Sequence, residues 1–257
     1  MPPFVSFPNP RPCWSRPRSR CSHAQTIFVA NSNGTNGVSS YNINGTLINA
    51  SLVAGDGFQG LALSGSTLYI ADSSAGTGNT MIRTATLNGT GGVASTGIFT
   101  VGGTANGLNS PWHMAVTASD LYVTNFNNSN VFRYSLSTNL QTNTISGSND
   151  NGGFMTTPAG IAISGNTLFV SQATSGTGMN TIKGYNLTTF SSTPTMTITA
   201  NLNQPYGLAV SGNTLFVANA IGGTISTFNA TTGASISGTF VSGLTGPQAI
   251  TVFGSDL

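Results

Sequence analysis

The sequence contains no glutamate and few charged residues of any kind. Seven Lys or Arg and five Asp carry all the formal charge of its 257 residues. Beyond residue 24 the only cationic residues are Arg83, Arg133 and Lys183. Phosphate neutralisation needs clustered Lys and Arg, so we expect no nucleic-acid partner. The scarcity of charge also excludes a coiled coil.

Cysteine is nearly absent. Cys13 and Cys21 are the only two, and both lie in the first 24 residues. They leave two readings open: a disulfide formed in an oxidising compartment, or two incidental thiols in a flexible segment. Two cysteines and His23 do not supply a four-ligand zinc pattern. We expect no cofactor.

Long apolar runs are also lacking. No stretch approaches the roughly 18 residues of a membrane span, so none is expected. Residues 1–24 hold six of the 11 prolines and four arginines, which predicts a disordered extension. Their longest apolar stretch, "FVSF", is too short for a signal peptide. The sparsely charged remainder is typical of secreted proteins, which predicts an extracellular or cell-surface location.

Small polar residues make up about half of the chain. Gly, Ser, Thr and Asn number 33, 31, 37 and 27. Hydrophobic residues still reach 38%, so residues 25–257 have enough apolar material for a folded domain. β-Branched residues and glycine favour strands and turns over helices. The composition therefore predicts an all-β domain.

An internal repeat is the strongest signal in the sequence. One segment recurs as "GLALSGSTLYIAD" from Gly60, "HMAVTASDLYVTN" from His113, "GIAISGNTLFVSQ" from Gly160 and "GLAVSGNTLFVAN" from Gly207. A fifth copy starts at "PQAITVFGSDL" and stops where its second strand would begin. The missing half stands at the other end of the domain, as "TIFVAN" from Thr26.

Each repeat is predicted to form four antiparallel strands. The apolar run at the start of each repeat forms the inner strand, and the tight turn "SGNT" or "TASD" connects it to the second strand. Two further strands follow, in which apolar and polar residues alternate. Four strands per repeat of this length indicate a β-propeller blade. We predict five blades, with the first and last completed by both termini in one composite blade. A six-bladed ring is the alternative.

The unit "P-x-G-[IL]-A-[IV]…G-N-T-L-[FY]-V-A-N" resembles the NHL and YVTN-type propeller repeats of secreted bacterial proteins. The resemblance covers residues 26–257. It departs from the usual NHL pattern in having "SGNT" where an acidic turn is common. The family includes protein-binding scaffolds, carbohydrate-associated modules, lactonase-like hydrolases and lyases, so the resemblance implies a fold without selecting a function.

The topology should bring two kinds of loop to one face, here called the top face, where inner strands begin and second strands end. A ring of repeat-equivalent polar residues falls there: Asn31, Asp72, Asn125, Gln172 and Asn219. We expect these side chains to hold the loops by hydrogen bonds. A calcium site formed by Asp56, Asp72 and Asp150 is a weaker alternative. Arg83 and Lys183 share one repeat position and are expected to be solvated.

A bulky pair of residues stands at the start of the second repeat, "HMAVTASDLYVTN" from His113. Trp112 and His113 are the only Trp and His beyond the extension, and they stand where other repeats have a small residue. One interpretation is that Trp112 and His113 close the mouth of the central channel of the propeller. The other is a ligand site, with Trp112 and Tyr206 as stacking surfaces and His113, Gln59 and Gln248 as hydrogen-bond partners.

The acid–base inventory favours binding over catalysis. Residues 25–257 contain one His, no Glu and no Cys, which is meagre for general acid–base chemistry. We therefore expect a monomeric, non-catalytic binding or scaffold propeller that recognises a carbohydrate or a protein partner. The alternative is a hydrolase or lyase of the lactonase or streptogramin-lyase type, with His113 as general base. The sequence does not decide between enzyme and binding protein.

Overall fold

A computed structural model shows that the chain is a five-bladed β-propeller and almost entirely β. The structure describes residues 26–31, 37–42, 45–74, 80–88, 92–101, 107–146, 157–173, 180–250 and 252. The predicted extension, residues 1–24, lies outside these residues, and so do Cys13 and Cys21. Within the described ranges, nineteen strands form five antiparallel sheets. The predicted fold and number of blades are confirmed, and the six-bladed alternative is wrong.

The strands follow the repeat in order, from the axis outwards. Blade 1 holds β1 (Thr26–Ala30), β2 (Val38–Asn42) and β3 (Leu47–Val53). Blade 2 holds β4 (Phe58–Ser64), β5 (Thr67–Asp72), β6 (Met81–Leu87) and β7 (Val93–Val101). Blade 3 holds β8 (Pro111–Val116), β9 (Asp120–Asn125), β10 (Asn130–Ser135) and β11 (Gln141–Ser146). Blade 4 holds β12 (Pro158–Ser164), β13 (Thr167–Gln172), β14 (Thr181–Asn186) and β15 (Met196–Ile198). Blade 5 holds β16 (Pro205–Ser211), β17 (Thr214–Asn219), β18 (Thr224–Asn229) and β19 (Ser235–Val241).

Apolar side chains pack between neighbouring blades rather than in one central core. Leu215 and Val217 of β17, for example, face Ala162 and Phe169 of blade 4. Similar clusters join blade 1 to blade 2, blade 2 to blade 3 and blade 3 to blade 4. The alternation of side chains along a strand explains this arrangement, because successive residues point to opposite faces of the sheet and so towards different neighbouring blades.

The C-terminal residues lie at the inner position that the repeat predicts. Ile250 and Val252 pack against Phe216 and Ala218 of β17. Every other inner strand is preceded by a residue with left-handed backbone, and Gly246 has this conformation too, with φ 56°. Three of these residues are not glycine: Ser110, Thr157 and Gln204. Their recurrence marks a repeated structural turn, not a local defect.

Two ion pairs are seen among the residues that the structure describes, and each joins neighbouring strands of one blade. Arg83 Nε lies 2.6 Å from Asp72 Oδ2, and Arg133 Nε lies 2.9 Å from Asp120 Oδ1. Lys183 is buried, so the prediction that it is solvated is wrong. The reason is that β14 lies between β13 and β15, and all four of its central residues are buried. No helix in the described ranges is long and apolar enough to span a membrane.

Candidate functional site

A β-bulge interrupts the inner strand of each complete blade at the top face. In blade 3, Pro111 is opposite Asn125 and Met114 is opposite Val123, so two residues face Thr124 alone. The bulged pairs are Gln59–Gly60, Trp112–His113, Ala159–Gly160 and Tyr206–Gly207. Bulges redirect side chains and are frequent beside functional sites. Four of the five residues predicted to bind a ligand therefore occupy bulges.

Close backbone contacts place these positions in sequence around the axis. A Cβ added to Gly60 would lie 2.3 Å from the Trp112 carbonyl oxygen, and one added to Gly160 would lie 1.8 Å from that of Tyr206. A Cβ on Gly207 would lie 2.8 Å from the Gln248 carbonyl oxygen. Only glycine fits at such an approach. These contacts bring Gln59 beside Trp112, and Tyr206 beside Gln248.

Two hydroxyl groups fasten neighbouring inner strands across the bulges. The Ser171 hydroxyl accepts a hydrogen bond from Gly160 N and donates to the Tyr206 carbonyl, both at 2.7 Å. Thr124 Oγ1 accepts from His113 N at 2.9 Å and lies 2.9 Å from the Ala159 carbonyl. The inner strands of blades 3, 4 and 5 are thereby linked in series.

Trp112 stacks on an aromatic side chain that the sequence reasoning missed. Its ring centroid lies 4.8 Å from that of Phe126, with 27° between the planes. Phe126 begins the short 3₁₀ turn Phe126–Asn128, directly after β9 on the top face. Both rings are half-buried. Trp112 therefore belongs to a two-ring surface in blade 3, together with the loop that follows β9.

Amide side chains border this aromatic pair. Asn109 Nδ2 donates to Asn128 Oδ1 at 3.1 Å, and Asn127 Nδ2 donates to Asn109 Oδ1 at 3.3 Å. Asn128 Nδ2 also donates to the Gly107 carbonyl at 2.7 Å. The three asparagines are exposed, so parts of their amide groups face solvent. The arrangement offers a flat apolar surface with hydrogen-bonding edges.

His113 lies on the axial side of the same bulge. A Cβ added to Gly60 would lie 3.3 Å from Cδ2 of the imidazole, so the ring leans over blade 2. Burial lowers the pKa of His113 from 6.5 to about 4. The imidazole is therefore neutral at physiological pH and can accept or donate one hydrogen bond, but it is a weak base.

The remaining predicted ligands are placed around the axis with different exposure. Gln59 and Tyr206 are half-buried, and Gln248 is exposed on the C-terminal segment. The backbone contacts place Gln59 next to Trp112 and Tyr206 next to Gln248, and blade 4 separates Trp112 from Tyr206. Phe126 belongs to neither pair, because it stacks on Trp112 from the loop between β9 and β10 of blade 3.

The polar ring at the ends of the second strands is used within each blade. Asn219 Oδ1 accepts from Asn203 N at 3.0 Å, and its Nδ2 donates to Ser226 Oγ at 2.8 Å. Asn125 likewise accepts from Asn109 N and donates to the Gly107 carbonyl. These bonds fasten the loop before an inner strand to the end of the second strand.

Of the proposed calcium ligands, Asp72 is buried and Asp56 is exposed. Asp72 accepts hydrogen bonds from Arg83 and from the Ser74 hydroxyl, which also contacts Asp56. The Arg83 guanidinium already balances the Asp72 charge. Asp150 lies outside the described residues. No group of three His, Cys, Asp or Glu in the described part of the chain is placed to hold a metal ion.

An open cleft of about 570 Å³ lies at the end of blade 3 away from the top face. Its wall includes Asp120, Arg133, Ser135 and Thr142. Arg133 Nη2 donates to Asp120 Oδ2 at 3.0 Å, in addition to the Nε contact. The hydrogen bond from Arg133 holds the pKa of Asp120 below its ordinary value. The pair is electrically neutral overall, and its role in the described structure is to join β9 to β10.

Solved structures with similar folds include a nidogen–laminin complex and a lyase. A chain of a nidogen–laminin complex aligns with a TM-score of 0.67 and 16% identity, over 89% of this chain and 82% of that one. Virginiamycin B lyase from Staphylococcus aureus aligns with a TM-score of 0.63 and 16% identity, over 91% of this chain and 73% of the lyase. No protein-family model and no curated protein matches the sequence. At this identity the likeness establishes the β-propeller class alone.

Proposed function

We propose that this propeller is a non-catalytic binding or scaffold protein whose ligand site is the top face of blade 3. The observation that carries the proposal is the Trp112–Phe126 stack on a bulged inner strand, bordered by exposed asparagines. Aromatic faces bury the apolar surface of a ligand, while nearby amides orient its polar groups by hydrogen bonds. The two features are combined in blade 3.

The chemistry of this surface fits a neutral ligand. The Arg83 and Arg133 guanidinium groups are each paired with a carboxylate of their own blade. The neighbours of the aromatic pair are uncharged asparagines, together with a neutral imidazole. A sugar ring or an uncharged peptide segment offers the matching apolar and hydrogen-bonding edges. A carbohydrate or a protein segment is therefore the proposed partner class.

The proposed setting is the outside of the cell. The support is compositional: the domain is rich in Asn, Thr and Ser, poor in charge, and has no cysteine beyond residue 24. The repeat unit resembles NHL and YVTN-type repeats of secreted bacterial proteins, which supports the same setting. We propose a monomer in this role.

The properties of His113 argue against the hydrolase or lyase alternative. A general base works best when its pKa lies near the working pH. Burial lowers the pKa of His113 to about 4, which weakens it as a base at neutral pH. The likeness to virginiamycin B lyase is one of fold. We therefore assign His113 a hydrogen-bonding role at the ligand site.

The test is a screen of glycan and peptide arrays with the full chain, followed by titration of the hits. Trp112→Ala and Phe126→Ala should each weaken binding at least tenfold, while Trp112→Phe should retain part of it. Leu140→Ala is the matched control, because Leu140 is exposed at the opposite end of blade 3. Unfolding curves measured alongside should show that each variant remains folded at the assay temperature.

Two results would overturn the proposal. One is a ligand that binds Trp112→Ala and Phe126→Ala as tightly as the unaltered chain. The other is chemical conversion of a hit, detected by mass spectrometry, that disappears in His113→Asn. The second result would establish the enzymatic alternative.

A further inference from the structure

The cleft at the end of blade 3 away from the top face contains an ion pair that the other complete blades lack at the same positions. Asp120 begins β9, and Arg133 lies on the neighbouring strand β10, opposite Tyr122. The equivalent residues are Thr67, Thr167 and Thr214 for the carboxylate, and Thr84, Gly184 and Thr227 for the guanidinium group. The ion pair is therefore an addition to the repeat and not part of its common framework.

A side-chain hydrogen bond that closes this end of blades 4 and 5 is not made between the described residues of blade 3. In blade 4, Thr188 Oγ1 donates to Asn166 Oδ1 at 3.1 Å, and an equivalent bond of 2.7 Å closes blade 5. The corresponding residues of blade 3 are Ser137 and Ser119, and each hydrogen-bonds to a residue one or two positions away. These side chains therefore do not tie the two turns together, and residues from both turns line the cleft.

The guanidinium group of Arg133 is held in place by a carboxylate and two aromatic rings. Its Nε and Nη2 donate to the two oxygens of Asp120, at 2.9 and 3.0 Å. Its Cζ lies 6.0 Å from the ring centroid of Tyr122 and 5.7 Å from that of Phe190, and both rings are buried. Phe190 belongs to blade 4, so two blades position the group. A group that is fixed in advance loses less entropy when a ligand binds.

One edge of this guanidinium group is not used within the protein. A guanidinium group carries five N–H donors, and the Asp120 carboxylate takes one from Nε and one from Nη2. Among the described residues, none accepts a hydrogen bond from Nη1. Arg133 lines the cleft, and its side chain is 28% exposed. The Nη1–Nη2 edge is a second fork of the kind that binds a carboxylate through two parallel hydrogen bonds.

We propose that this cleft is a second ligand site, and that it binds the carboxylate of a hydroxylated acid of the uronic acid class. The unused edge of Arg133 receives the carboxylate, while the side chains of Ser135 and Ser137 bind the hydroxyl groups of the acid. The cleft volume of about 570 Å³ is within the range of small-molecule sites. The site lies at the opposite end of the blade from the Trp112–Phe126 surface, so the inference does not depend on the proposed function.

The charges of the cleft favour a carboxylate over a neutral sugar or a phosphate. The oxygens of Asp120 already accept hydrogen bonds from Arg133 and from the Ser119 hydroxyl, so the unused groups of the ion pair are donors. Such donors bind a carboxylate more strongly than a neutral hydroxyl group. Among the described residues that line the cleft, Arg133 alone is cationic, and Asp120 offsets its charge. A phosphate dianion would therefore lack a compensating charge.

Titration of the full chain with D-glucuronate tests the inference. D-Glucose, which lacks the carboxylate, and acetate, which lacks the hydroxyl groups, are the matched probes. In protein labelled with isotopes at arginine, the Nε resonance of Arg133 reports binding and is assigned by its loss in Arg133→Lys. Glucuronate should shift this resonance to saturation at millimolar concentration. Glucose and acetate should each bind at least fivefold more weakly.

Two substitutions with matched controls test the residues, with affinities measured by calorimetry. Arg133→Lys keeps the charge and loses the fork, so glucuronate should bind at least fivefold more weakly. Arg83→Lys, the same change in the ion pair of blade 2, should leave the affinity within twofold. Ser137→Asp adds a negative charge at an exposed position and should also weaken binding at least fivefold, whereas the uncharged Ser137→Asn should have a smaller effect. Because Ser137 is exposed, its variants keep the test decisive if Arg133→Lys does not fold.

Three results would overturn the inference. One is a folded, unaltered chain that binds glucose or acetate as tightly as glucuronate, or that binds none of the three. Another is equal affinity for glucuronate in Arg133→Lys and Arg83→Lys, or in Ser137→Asp and Ser137→Asn. The third is binding of glucuronate that is lost in Trp112→Ala and kept in Arg133→Lys, which would assign the acid to the top face.

Discussion

Blades 3 and 5 are built on the same repeat, yet they differ at the places where a ligand could meet the protein. Both begin with a proline, bulge at the second and third residues of the inner strand, and end the second strand with a buried asparagine. Blade 5 has Tyr206–Gly207 at the bulge and Phe228 in its core. Blade 3 has Trp112–His113 there, and it has Tyr134 where blade 5 has Phe228.

The difference teaches that the repeat conserves backbone bonds and leaves side chains beside them free to vary. The asparagines at the end of the second strand hold equivalent loops in both blades, through Asn109 N in blade 3 and Asn203 N in blade 5. The bulged pair lies next to that anchor without being part of it. A new side chain at the bulge therefore changes the surface while the blade keeps its hydrogen bonds.

The largest expected effect comes from the shared core. Phe228→Ala should destabilise the domain by about 3–5 kcal/mol, because it empties a fully buried site between blades 4 and 5. Tyr134→Ala in blade 3 should cost a similar amount if the two positions are equivalent. Chemical denaturation measures both free energies of unfolding. A loss below about 1 kcal/mol in either blade would show that the two cores are not equivalent.

The next largest effect is the pH dependence of stability that His113 gives to blade 3. The pKa of His113 is lowered to about 4, so the unfolded chain binds a proton in the range from pH 6.5 to 4 that the folded chain does not. Stability from this group is complete above pH 6.5 and is lost as pH falls towards 4, by at most about 3 kcal/mol. His113→Asn should flatten that part of the curve of unfolding free energy against pH. His23 is present in both chains, so its contribution cancels, and an unchanged slope would contradict the assignment.

The smallest effect concerns one hydroxyl group. The Tyr134 Oη is buried with no hydrogen-bond partner in the described structure, and the Tyr134 ring packs edge-on against Phe99 and Phe132. Burial also raises its pKa. Tyr134→Phe should therefore be neutral or stabilising by up to about 1 kcal/mol. The reverse change in blade 5, Phe228→Tyr, should cost about 1–3 kcal/mol, and thermal unfolding of the two variants gives the comparison.

The repeat made most of the fold predictable from sequence. Similar strings recurring every 47–53 residues predicted the blade number, and the string "TLFVAN" corresponds to β17 residue for residue. The grouping of Gln59, Trp112, Tyr206 and Gln248 around the axis also follows from repeat equivalence. The structure places Gln59 next to Trp112 and Tyr206 next to Gln248 through backbone contacts at Gly60 and Gly207, with blade 4 between the two pairs.

The bulges and the role of Phe126 were not predictable in the same way. A bulge depends on which backbone groups pair across two strands, and the alternation of apolar residues does not report it. Phe126 follows β9 where the other complete blades have Ser73, Ala173 or Ala220. Comparing that single position across repeats would have singled it out. Its stacking on Trp112 still depends on how the 3₁₀ turn folds back, which is a tertiary property.

The hydroxyl groups of Thr124 and Ser171 have a mechanical consequence. Each ties the inner strand of its own blade to that of the next, so blades 3, 4 and 5 share one continuous chain of bonds at the axis. Blades 2 and 5 have Ala71 and Ala218 at the equivalent position and lack such a tie. The ring therefore has a stiff arc and a compliant one. Trp112 and Tyr206 both lie on the bonded arc, so we expect the spacing between them to vary less than spacings that span blades 1 and 2.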